Sequence, residues 1–164
     1  MPITPVLLNV PQEAVPAEKA GPYLKDFVLW LREFLGQIAE NHHEVDESTG
    51  RLIFEESQII FLVDALRELD ERGHFENVIA LIDRAKGPDL SAHGLEGVQL
   101  NWKLSNINFW LDRFLGKRTA ELLERLLASV DALLKSLLGA VGAGEALEEL
   151  KEAVRNSMAL VTKE

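Results

Sequence analysis

The sequence predicts an all-α fold: an antiparallel bundle of five or six helices behind an extended, proline-rich arm. Three observations carry this expectation. Five of the six prolines (Pro2, Pro5, Pro11, Pro16 and Pro22) fall at or before position 22, and only Pro88 lies beyond. Proline removes a backbone donor and is excluded from helix interiors, so an arm (1–16) separates from a helical body (17–164). From Tyr23 to Met158, apolar residues recur at the spacing of one helix face. The breaks between these runs are short and marked by glycine, which implies antiparallel neighbours.

The first helix is expected over 17–42, with Tyr23, Phe27, Trp30, Leu31, Phe34 and Ile38 as its buried stripe. Leu29 falls among Lys25, Arg32 and Glu33 on the polar side. Residues 41–54 break the pattern and read as a turn or small hairpin, with Gly50 supplying a positive φ. A second helix follows over 55–72, its stripe formed by Ile59, Leu62, Val63, Leu66 and Leu69. Ile60 and Phe61 lie off that stripe. Gly73 suits a C-cap, and the next helix carries Phe75, Val78, Ile79, Ile82 and Ala85 until Lys86-Gly87-Pro88 ends it.

The run Leu62, Ala65, Leu66, Leu69, Gly73, Phe75, Val78, Ile82, Ala85 resembles one tetratricopeptide-type helical hairpin. The resemblance covers about thirty residues, and no second copy follows at the repeat spacing. A plain helix–Gly–helix hairpin is the reading preferred here.

A helix over 95–115 is apolar on most of its circumference, which predicts burial. Trp110 is expected in its core, and Ser91-Ala92-His93-Gly94 as the capping segment that opens it. Asn101, Ser105, Asn108 and Asp112 form one narrow polar stripe on it, flanked by Trp102 and Phe109. Buried polar groups cost free energy unless hydrogen-bonded, so this stripe is either the helix's wet edge or a seam for a partner. The leucine-dense helix over 119–141 and a last helix over 145–160 complete the body.

Composition bounds the function. The chain holds 17 Lys+Arg against 27 Asp+Glu, a formal net charge of −10. Nucleic-acid binding wants a basic face, and Lys117-Arg118 is too short to make one, so no nucleic-acid partner is expected. Cysteine is absent, which excludes disulfides, thiol catalysis and cysteine-based zinc sites and fits a cytoplasmic protein. Val6-Leu7-Leu8 lacks the basic flank and length of a signal peptide.

No nucleophile elbow, phosphate loop or dinucleotide fingerprint is present. Two E-x-x-H strings, at Glu40–His43 and Glu71–His74, echo di-iron bundles, but both fall at helix ends and Gly73 interrupts the second. Surface histidines are the expectation, with no catalytic residue, cofactor or metal. What remains is an interaction module, an adaptor, regulator or subunit that binds another protein or itself. Its candidate contact residues are Leu29, Ile60, Phe61, Trp102, Phe109, Asn101, Ser105 and Asn108. One alternative is a membrane-active bundle that inserts the helix over 119–141, although Asp131 and Lys135 oppose insertion. The other is an unrecognised enzyme or metal-binding bundle.

Overall fold

In the computed structural model, residues 7–54, 56–141, 148–149 and 152 are described. Among the described residues, a single 3₁₀ turn, Ala17–Lys19, leads into six named α-helices. They are α1 (Gly21–Glu40), α2 (Glu56–Glu71), α3 (His74–Arg84), α4 (Gly87–Ala92), α5 (Gly97–Gly116) and α6 (Ala120–Val141). No named strand occurs among the described residues; only two isolated bridges do, Val15–Gly97 and Val45–Leu52. The all-helical expectation therefore holds. Residues 1–6 of the expected arm, and all but 148, 149 and 152 of the expected last helix, lie outside the described residues.

The long helices bury most of the stripe their spacing dictates, with Tyr23 of α1 and Val63 and Leu66 of α2 only half-buried. In α1, Leu24, Phe27, Val28, Leu31, Phe34, Leu35 and Ile38 are fully buried, and Trp30 stacks between Phe27 and Phe34. In α6 the leucine doublets place Leu123, Leu126, Leu127, Leu133, Leu134 and Leu137 in the core. The α5–α6 hairpin makes the largest helix–helix contact, and α1 packs on the α2–α3 hairpin. The short helix α4 packs on α6. Gly73 turns the chain from α2 into α3 at φ 69°, a conformation glycine adopts without steric cost.

The helix α3 ends at Arg84, just before Lys86-Gly87-Pro88, as the sequence predicts. Pro88 then sits in the first turn of α4, a short helix that the spacing does not show, where its missing N–H costs nothing. Three expectations about the helices need correction. Ser91 and Ala92 belong to that helix, and α5 opens only at Gly97. The helix α5 is not buried all round: Val98, Trp102 and Phe109 are exposed, because α6 covers only one side of it. Trp110 is half-buried at the core's rim, its ring beneath Arg125 at 5.1 Å.

No helix is long and apolar enough to cross a membrane among the described residues. On α6, Asp131 and Lys135 pair at 3.1 Å.

Candidate functional site

The polar stripe of α5 is the seat of the N-terminal segment. Asn108 holds Leu8 by both of its amide atoms: Leu8 N–H donates to Oδ1 at 2.7 Å, and Nδ2 donates to the Leu8 carbonyl at 2.9 Å. Asn101 Nδ2 donates to the carbonyls of Pro11 at 3.2 Å and Glu13 at 3.1 Å. Gly97 N–H then donates to the Val15 carbonyl at 2.6 Å. As the segment's numbers rise, those of its α5 partners fall, so it runs antiparallel to the helix. Leu8 is buried and Leu7 is half exposed. Residues 7–14 form no helix or strand of their own, so side-chain amides on α5 supply partners that their backbone requires.

Beyond that seam lies a bare edge. At 3.6 residues per turn, Val98, Trp102, Ser105 and Phe109 share one line along α5, all exposed. Trp102 is 68% exposed and Phe109 is 46% exposed. Phe109 meets Trp110 edge-on at 4.9 Å and carries Arg113 over its face at 4.2 Å.

A second apolar exposure sits on α2, where Ile60 is 61% and Phe61 70% exposed. Leu29 of α1 is half exposed and edges a groove of about 880 Å³ between α1, α2 and α3. Polar contacts cross that groove: Arg32 pairs with Asp70 at 3.0 Å and lies over the Phe75 ring at 5.4 Å. The candidate residues therefore divide into three places: Trp102, Ser105 and Phe109 on the bare edge of α5, Ile60 and Phe61 on α2, and Leu29 at the groove. Asn101 and Asn108 belong to the seam beside the first.

The corner where α5 turns into α6 is fastened to residues 41–54. Asp46 accepts the Ala120 N–H on Oδ2 at 3.0 Å, so a distant loop caps the start of α6. Its Oδ1 accepts the Ser48 N–H at 2.8 Å and the Ser48 hydroxyl at 2.7 Å. Burial pushes the Asp46 carboxyl up, but the Ala120 amide and the Ser48 donors outweigh it and hold the group below the usual carboxylate range. Glu47 N–H donates to the Arg118 carbonyl at 2.9 Å, and Arg118 pairs with Glu44 at 2.9 Å. Gly50, at φ 73°, closes the turn that the sequence places there.

The histidines scatter. His43 and His93 are exposed and His42 is half-buried. His74 departs from the expected surface position: it is buried at the start of α3, with Glu149 2.9 Å from its Nε2. Among the described residues, no group of three His, Asp or Glu side chains could hold a metal ion.

No protein-family model, curated protein or solved structure matches this chain.

Proposed function

We propose that this chain is a non-catalytic helical-bundle interaction module, an adaptor, regulator or subunit that binds another protein or a second copy of itself. The observation that carries the reading is the bare edge of α5. A tryptophan and a phenylalanine stand exposed on one line of a helix whose opposite side is core. Fully burying such a side chain is worth roughly 1.5–3 kcal/mol, and aromatic residues of this kind dominate binding hot spots. Ser105 sits between them as a polar contact, and Asn101 and Asn108 border the surface through the arm they hold. Ile60 and Phe61 on α2 form a second contact region, and Leu29 at the groove a third. The acidic balance and the lack of cysteine suit a cytoplasmic protein with a protein partner and no nucleic acid.

Paired substitutions test the reading. Trp102→Glu with Phe109→Glu should abolish self-association seen by light scattering, or retention of a partner that the unaltered protein retains. The helical dichroism should persist, because surface changes shift stability by only about 0.5 kcal/mol. Phe61→Glu, made separately, reports on the α2 region. Unchanged association in a folded double variant would overturn the proposal.

A further inference from the structure

The corner described above lines an open cavity of about 580 Å³, within the size range of small-molecule sites. Four cations line it, Arg51, Arg113, Lys117 and Arg125, together with two carboxylates, Asp46 and Glu121. This is a local excess of positive charge on a chain whose formal net charge is −10. The Asp46 carboxylate is also turned to other work, capping α6 and closing its own turn. Among the described residues, neither Arg113 nor Lys117 has a carboxylate partner.

Two guanidinium groups lie over aromatic rings: Arg113 over Phe109 at 4.2 Å and Arg125 over Trp110 at 5.1 Å. Such a cation–π contact limits where the group can move, and a guanidinium fork suits an oxyanion. Arg125 keeps one weak tie, to Glu121 at 3.5 Å. The remaining wall is apolar, from Leu52, Trp110 and Leu122. A bare inorganic ion would leave that wall without a contact.

We infer that this cavity binds a small organic phosphomonoester, its phosphate on Arg113, Lys117 and Arg125 and its apolar body against Leu52, Trp110 and Leu122. No bond is made or broken; the site is a binding site. The inference does not need the bare edge of α5 to be a contact surface, although Phe109 of that edge carries Arg113.

The test is calorimetric titration of the full chain at low ionic strength with phenyl phosphate, inorganic phosphate and phenol. Phenyl phosphate should bind with a Kd of about 1 mM or tighter, inorganic phosphate more weakly, and phenol not measurably. Added salt should weaken binding. Arg113→Gln with Lys117→Gln should weaken phenyl phosphate by at least about tenfold, with helical dichroism unchanged, since both side chains are exposed. Four results would each overturn the site: no phenyl phosphate binding, phenol binding equally well, inorganic phosphate binding equally well, or affinity unmoved in the double variant.

Discussion

Two non-helical segments are fastened onto the α5–α6 hairpin, and they are fastened in opposite ways. In the first, helix side chains reach out to hold loop backbone: Asn108 and Asn101 grip Leu8, Pro11 and Glu13. In the second, a loop side chain reaches in to hold helix backbone: Asp46 accepts from Ala120. The first uses neutral amides, the second an ionised carboxylate. An amide pair both donates and accepts, so it serves a chain that needs both partners. A carboxylate only accepts, so it serves a helix start, where unpaired N–H groups and the positive dipole end coincide. The difference teaches that the chemistry of each fastening follows from what the backbone it holds is missing.

The largest expected effect tests what the two attachments share. Leu104 is fully buried in α5 between Asn101 and Asn108, on the side that faces the core. Leu104→Ala should cost about 2–5 kcal/mol in denaturant unfolding. Amide exchange at Leu8 and at Ala120 should quicken together. Loss of protection at one amide alone would show that the two segments do not depend on a common hairpin.

The next separates them by charge. Asp46→Asn should cost about 1–2 kcal/mol at neutral pH through loss of the charged cap. The folded carboxyl titrates below its unfolded value of about 3.9. Its stabilisation is therefore fully present above about pH 4 and disappears as pH falls through the folded value. The gap between the parent and Asp46→Asn, followed by thermal unfolding against pH, should narrow on acidification. A gap that stays constant down to about pH 2 would mean that the ionised cap contributes nothing.

The neutral seam comes last, with the smallest effect at Asn101. Asn108→Ala removes two hydrogen bonds and should cost about 1–2 kcal/mol, whereas Asn101→Ala should cost about 0.5–1.5 kcal/mol. Asn101 uses only its Nδ2, and its buried Oδ1 has no partner among the described residues. Neither cost should vary between neutral and acidic pH, in contrast to Asp46. Exchange at the Leu8 amide is the direct readout, and equal protection in Asn108→Ala would break the assignment of the seam.

Much of this arrangement was legible in the sequence, for identifiable reasons. Period alone fixed the stripes of α1 and α6, because local spacing decides which face a helix can bury. The same spacing isolated Asn101, Ser105, Asn108 and Asp112 on α5. That the stripe receives this segment depends on residues 100 positions apart, beyond any local pattern. The cation-lined cavity was hidden for the same reason. Lys117 reads as half of a short basic pair, and only folding brings Arg51 and Arg125 to it. Trp110 was misplaced because an apolar circumference does not say how many neighbours a helix has. The short helix α4 was missed because Pro88 reads equally well as a stop or a start.

The antiparallel course of the arm along α5 also has a consequence for the order of events on the ribosome. Leu8 leaves the exit tunnel long before its partner Asn108, 100 residues later. At synthesis rates of 5–20 residues per second, that is a wait of roughly 5–20 s. During it, Leu7, Leu8 and Val10 have no groove to enter. A segment that emerges well before its partner helix is thus among the last to find its place, and chaperones that survey nascent chains meet it while it is still bare.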